Sequence, residues 1–219
     1  MKKLIEDAKK DIKNKRYMLF LIPLIISAII FCLIISIGIS KCDNYILEQI
    51  SKLVNYNLTV FMGIITSMCE PIILLYISLL CLVILKNKKI SLGVLFCLVF
   101  TGVSNLVLKA IFSRQRPLEY MLIDESGYSF PSGHSMIGIA FYGFLIYVGY
   151  RIIKKKWVRI TYITTLSLLI ATIAFSRLYF GVHYPTDVLA GLTIGYILLY
   201  VYIKLFETKI FIKEKDLVQ

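Results

Sequence analysis

From Tyr17 to Ser40 the chain runs for 24 residues without a charged side chain. A helix of that length, rising 1.5 Å per residue, crosses the roughly 30 Å of hydrocarbon in a bilayer. Seven Lys/Arg and three acids precede it in residues 1–16. A basic start before an apolar run also describes a signal peptide. This run is long for that role and lacks an Ala-x-Ala-like exit, so the reading is a basic arm followed by a retained first span.

More apolar segments follow. Residues 41–66 are mixed: Ile46, Ile50, Leu53, Leu58 and Phe61 alternate with Asp43, Glu48 and Lys52. That suits an amphipathic helix on the membrane surface and equally a polar loop. The apolar stretch 53–85 is interrupted by Glu70-Pro71, and one span from about Thr66 to Leu85, with Glu70 at the interface, needs no extra loop. Further spans are expected at 90–111, 134–150, 160–179 and 185–205. With 58% hydrophobic and 17% charged residues, the chain is far more apolar than a soluble domain. The expected fold class is all-α, a bundle of six transmembrane helices in an integral membrane protein. Residues 17–206 form its single domain, between the arm and a tail at 207–219.

Six spans put both termini on one side, and the basic residues agree. The formal charge is +12, which in a soluble protein suggests nucleic acid. Here 19 of the 25 Lys/Arg fall on the side of the termini, in residues 1–16, 86–89, 151–159 and 204–219. That asymmetry marks the side as cytoplasmic, and no nucleic-acid partner is needed to explain it. Five cysteines show no C-x-x-C pair and no neighbouring histidine, favouring neither a zinc site nor a disulfide framework. A Cys42–Cys69 bridge on one membrane face stays open.

The polar residues left over fall in one layer, at the non-cytoplasmic ends of four helices. Lys109 lies near the end of one span, and Arg114 and Arg116 begin the loop after it. Pro131-Ser132-Gly133-His134 opens the next span. Arg177 closes the fifth, and His183 and Asp187 open the sixth. Each has a bland explanation: a snorkelling lysine, a helix N-cap, a capping pair, a span terminus. Together these must account for several cations, a carboxylate and both histidines of the chain on one face.

The alternative is a site for a multiply charged tetrahedral anion, with fixed cations and helix-start N–H donors around it. Arg116 and Arg177 offer forked donors and Lys109 a point charge. His183 and Asp187 share a face at i and i+4 if a helix starts near Pro185, which the first turn tolerates. Asp187 then holds one ring nitrogen and leaves the other to attack phosphorus. His134 can protonate the leaving oxygen. No carboxylate cluster suits a divalent metal, so metal-free phosphoryl transfer fits.

The three segments KAIFSRQRP (109–117), PSGH (131–134) and SRLYFGVHYPTD (176–187) resemble the three motifs of the type-2 phosphatidic acid phosphatase superfamily, which also contains the vanadium haloperoxidases. The resemblance implies that His183 is the nucleophile forming a phosphohistidine, that Asp187 orients it and that His134 is the general acid. It also implies that Lys109, Arg116, Ser132, Gly133 and Arg177 bind phosphate, with no cofactor or metal. The expected activity is hydrolysis of a lipid phosphate or diphosphate at the outer leaflet. Candidates are phosphatidic acid, phosphatidylglycerophosphate and undecaprenyl diphosphate, in a bacterial plasma membrane. The alternatives are a lipid phosphotransferase and a lipid-binding or transport protein retaining the anion pocket. The expected partners are the lipid substrate and the bilayer, with no nucleic acid; the oligomeric state stays open.

Overall fold

In a computed structural model, residues 40–207 are described. The basic arm, the Tyr17–Ser40 span except its last residue, and the tail beyond 207 lie outside the described residues. Seven helices make up the described fold: α1 (Ser40–Ser51), α2 (Tyr56–Ser67), α3 (Pro71–Ile84), α4 (Lys88–Phe112), α5 (Gly133–Ile152), α6 (Lys156–Tyr179) and α7 (Pro185–Glu207). The fold is all-α. Four of these helices, α4 to α7, are long and apolar enough to cross a membrane, and the bent pair α2–α3 makes a fifth crossing if counted as one span. A sixth crossing rests on residues outside those described.

Two sequence expectations change here. Residues 41–66, left open between a helix and a loop, form two helices. They part at Lys52–Asn55, where the Asn55 side chain accepts from Leu58 N at 3.0 Å and caps α2. The unbroken span expected from Thr66 does not exist. The helix stops at Ser67 and restarts at Pro71 with a 50° bend. Proline lacks the N–H that a continuing helix needs but fits the first position of a new one. Polar groups freed by such a break need partners away from water. The Tyr142 hydroxyl donates to the Met68 carbonyl at 2.6 Å, and the Cys69 thiol to the His134 carbonyl at 3.4 Å. Cys42 and Cys69 are both free thiols, the first exposed and the second buried.

The bundle is built around α5. Half of its membrane-length window is buried, against 11% for α6, which presents most of its surface outward. Gly191 and Gly195, four residues apart on α7, bring that helix onto the start of α5. A Cβ at Gly191 would meet the Ser132 carbonyl oxygen at 2.7 Å, and one at Gly195 the Met136 carbonyl oxygen at 2.4 Å. Small residues at this spacing let two backbones touch. Towards the other end aromatic rings fill the wider gap. Phe144 meets Tyr202 and Phe206 edge-on at 5.1 Å, and the Tyr202 hydroxyl donates to the Gly93 carbonyl at 2.6 Å. The starts of α5 and α7 are thus held side by side at one end, where α4 and α6 finish.

Candidate active site

Helix α4 ends at Phe112, and Ser113 turns out of it in the left-handed region at φ 45° while its N–H still bonds the Lys109 carbonyl. The following loop folds back over the end of α6 and the start of α7. Leu122 N donates to the Phe180 carbonyl at 3.0 Å. Gly181, at φ 64°, passes so close that a Cβ would lie 2.0 Å from the Tyr120 carbonyl oxygen, a position only glycine fills. This fold-back sets Arg114, Arg116 and Ser129 against the start of α7 and Glu125 against Arg177 at the end of α6.

Arg116 is buried and largely committed to main-chain carbonyls. Its Nε donates to Gly127 at 3.0 Å, Nη2 to Ser126 at 3.0 Å and Nη1 to Val182 at 2.8 Å. Nη1 also lies 3.3 Å from His183 Nε2. A guanidinium only donates, so these partners assign His183 Nε2 as the acceptor and its proton to Nδ1. Nδ1 is 3.3 Å from Ser129 Oγ, which in turn donates to Asp187 Oδ2. The direct Nδ1–Oδ2 separation is 3.8 Å, too long for a hydrogen bond. The expected direct clasp of His183 by Asp187 is therefore replaced by a clasp through the Ser129 hydroxyl. Asp187 is fully buried and held on both oxygens: Arg114 Nη1 reaches Oδ1 at 2.6 Å, and Tyr184 N reaches Oδ2 at 2.9 Å.

His183 has 1% of its surface exposed. Burial, opposed by Asp187 and reinforced by the Arg177 and Arg116 charges, pushes its pKa down to about 4 from an ordinary 6.5. Its ring is neutral at physiological pH, with the Nε2 lone pair turned toward cations. Arg177, also fully buried, donates from Nη1 to Thr66 Oγ1 at 2.7 Å and from Nη2 to Glu125. Burial alone would raise the Glu125 carboxyl, but Arg177 and Arg116 outweigh it and hold it below the usual range. Lys109, in the last turn of α4, interacts electrostatically with Arg116, Glu125, Arg177 and Asp187.

Ser132 is buried at the start of α5 and accepts from Ser135 Oγ at 3.0 Å, while its N–H donates to the Asp187 carbonyl at 3.1 Å. A Cβ on Gly133 would lie 3.0 Å from Asn105 Oδ1. His134 Nε2 lies 3.3 Å from Glu70 Oε1, but the approach lacks hydrogen-bond geometry. Among the described residues, His134 Nε2 and Arg177 Nε are the two buried side-chain polar atoms without a hydrogen-bond partner. Such atoms are rare in folded proteins and call for a ligand or water.

The PAP2 superfamily model matches residues 91–211. The chain belongs to the PAP2 superfamily. All three motif segments fall inside the match. Phosphatidylglycerophosphatase B of Bacillus subtilis is 38% identical over 122 residues, an alignment covering 54% of this chain and 59% of that protein. The chain thus spans less than two thirds of that relative's length. An undecaprenyl-diphosphatase of Sulfolobus acidocaldarius is 27% identical over 157 residues, covering 67% of this chain and 72% of its own. The crystal structure of a transmembrane PAP2-type phosphatidylglycerolphosphate phosphatase from Bacillus subtilis superposes with a TM-score of 0.78 at 24% identity, over 87% of this chain and 96% of that one. At that identity the likeness bears on the fold.

Within this PAP2 frame, all eight sequence-predicted residues stand at one end of the bundle. Sequence reasoning assigned no role to five neighbours: Asp43, Glu70, Arg114, Glu125 and Ser129. Arg114 had a visible signal, since it sits in the same polar layer. Glu70 had a weaker one as a lone acid inside an apolar stretch. The other three look like ordinary loop or surface residues until the fold is known.

Proposed function

We propose that this PAP2 protein is a metal-independent membrane phosphatase that cleaves a lipid phosphate or diphosphate through a phosphohistidine intermediate. The observation that carries the reading is a neutral, buried His183 whose Nε2 lone pair faces a cluster of fixed cations. A histidine kept only for packing has no need of such neighbours. A nucleophile attacking a phosphate dianion does.

In this mechanism Lys109, Arg116 and Arg177 neutralise the phosphoryl oxygens, together with the Ser132 hydroxyl and the Gly133 N–H at the start of α5. Arg177 Nε supplies an uncommitted donor. His183 Nε2 forms the N–P bond as the bond to the lipid oxygen breaks. The positive charge growing on the ring is stabilised through Nδ1–H, Ser129 and Asp187. His134 delivers a proton to the departing lipid oxygen. In the second half, neutral His134 takes a proton from water, which attacks phosphorus and frees His183. Glu125 competes with the incoming phosphate for Arg177 and Arg116, so binding exchanges one anion for another.

The distribution of Lys and Arg supports a topology with both termini in the cytoplasm and the site at the outer face. Lipid tails then stay in the bilayer while the head group enters the polar layer. The names of the relatives support phosphatidylglycerophosphate and undecaprenyl diphosphate as substrates, with phosphatidic acid a third. The Bacillus relative supports a bacterial plasma membrane.

The test is phosphate release by the purified protein in detergent, with a chelator present, from each of the three lipids. Release from at least one is expected, with inhibition by vanadate, a mimic of five-coordinate phosphorus. No release from any of them would overturn the reading. Transfer of phosphate to an added alcohol without release would replace hydrolysis by phosphotransfer. A cysteine introduced near Asp124 should react with an impermeant thiol reagent in intact cells. Labelling only after lysis would invert the topology.

A further inference from the structure

Helix α1 lies outside the part of the chain that the PAP2 model matches, and its sequence suits an amphipathic surface helix and a polar loop equally. Yet Asp43, in its first turn, has only 1% of its surface exposed. A lone carboxylate so buried is unfavourable unless it is paired and hydrogen-bonded. Its partners among the described residues belong to the candidate active site. Oδ2 accepts from Arg114 Nη2 at 2.9 Å and from Thr186 Oγ1 at 2.7 Å, and Oδ1 accepts from Thr186 N at 3.1 Å.

Thr186 N–H is among the unpaired donors of the first turn of α7. Asp43 therefore caps, from a different helix, the turn that carries Asp187. The Arg114 guanidinium stacks over the Tyr184 ring, 4.1 Å from its centroid, and reaches Thr186 Oγ1 at 2.8 Å and Asp187 Oδ1 at 2.6 Å. It bridges the two carboxylates. Without Asp43, Arg114 loses the anion on its Nη2 side and is free to draw Asp187 away from Ser129 and His183. The first turn of α7 loses its cap at the same time.

We infer that Asp43 is a positioning residue for the reaction: through Arg114 and Thr186 it fixes Asp187, and so the orientation of His183, from a helix outside the matched PAP2 region. This inference rests on the phosphatase reading above. Misplacing a catalytic group by about 1 Å costs on the order of 100-fold in rate, so the expected effect lies in turnover rather than in substrate binding.

The experiment compares full-length wild type, Asp43→Asn, Asp43→Glu and Asn44→Ala, each purified in detergent and assayed on whichever lipid the wild type hydrolyses. Asp43→Asn keeps size and shape but removes the charge, and its kcat should fall about 10- to 100-fold with KM changed by less than about threefold. Asp43→Glu should recover part of the loss. Asn44→Ala, on the exposed neighbour, should leave both constants unchanged. The deciding measurement is a double-mutant cycle with Asp187→Asn. If Asp43 acts through Asp187, adding Asp43→Asn to that background should cost less than about threefold. A residue that merely docks α1 would lower thermal stability and the active fraction, and its effect would multiply with that of Asp187→Asn. That outcome overturns the inference, as does a full-rate Asp43→Asn enzyme. An inert wild type would instead remove the phosphatase reading, and the inference with it.

Discussion

Charged side chains meet at both ends of the helix bundle, and the two meetings differ in kind. At the end where α5 and α7 finish, Glu207 accepts from Arg151 at 3.0 Å, Tyr147 at 3.1 Å and Lys204 at 3.3 Å. These ionic groups remain 28% to 43% exposed, so water screens them and their pairing is worth about 1 kcal/mol or less. At the opposite end, Asp43, Arg177, His183 and Asp187 are each 1% exposed or less. Desolvation there is large enough that pairing alone does not make such groups a net gain in stability. The physical advantage of the buried cluster is preorganisation, with each group fixed by partners that are themselves fixed. One end tolerates its charges. The other is built around them.

Substitutions can test that contrast. The largest expected effect is that of His183→Ala, which should reduce phosphate release on the order of 1,000-fold or more and abolish the acid-labile phosphoenzyme seen after a rapid quench. Full activity in this variant would disprove the nucleophile. Next comes Arg177→Lys, which keeps the charge but loses the Nε donor and the fork spanning Thr66 and Glu125. A loss of about 100- to 1,000-fold in kcat/KM is expected, and a change below tenfold would mean that a point charge suffices.

The pH profile carries the third prediction. In the proposed mechanism His183 attacks only when neutral, and burial puts its pKa at about 4 rather than 6.5. The neutral form therefore persists down to about pH 4, and the acid limb of kcat/KM due to this residue should lie there, falling about tenfold per pH unit below it. An acid limb near 6.5 that persists in the Asp187→Asn variant would show that the ring is solvated instead. The smallest effect belongs to the other end. Glu207→Gln should leave kcat/KM within about twofold and stability within about 1 kcal/mol, as read from thermal unfolding in detergent. A larger rate effect would mean that the two ends are coupled.

What the sequence displayed, and what it hid, follows from the same physics. Long apolar segments announce helices because a bilayer leaves the backbone few other ways to satisfy itself, and α4 to α7 were legible for that reason. Residues such as His134, Arg177 and His183 stood out because polar groups are conspicuous beside apolar spans. Asp43 was hidden by its surroundings: in a helix that also carries Glu48 and Lys52 it reads as one more solvated charge. Only the approach of Arg114, distant in sequence, shows that it is buried. Ser129 was hidden differently, since a loop serine has no pattern, and its place between His183 and Asp187 depends on how the 113–132 loop folds back. The break before Pro71 was misread because apolar composition on both sides suggested one helix. The proline itself was the better guide.

The contact of Gly191 and Gly195 with the carbonyls of Ser132 and Met136 has a bearing on how such a protein can vary. It makes the span between the starts of α5 and α7, beside which His134 and His183 stand, a main-chain dimension, independent of any side chain's rotamer. On the proposed phosphatase reading, the outward surfaces of α4 and α6 can then be redrawn to suit a different hydrocarbon tail without retuning the chemistry. Substrate range and catalytic register are, in this architecture, separable design variables.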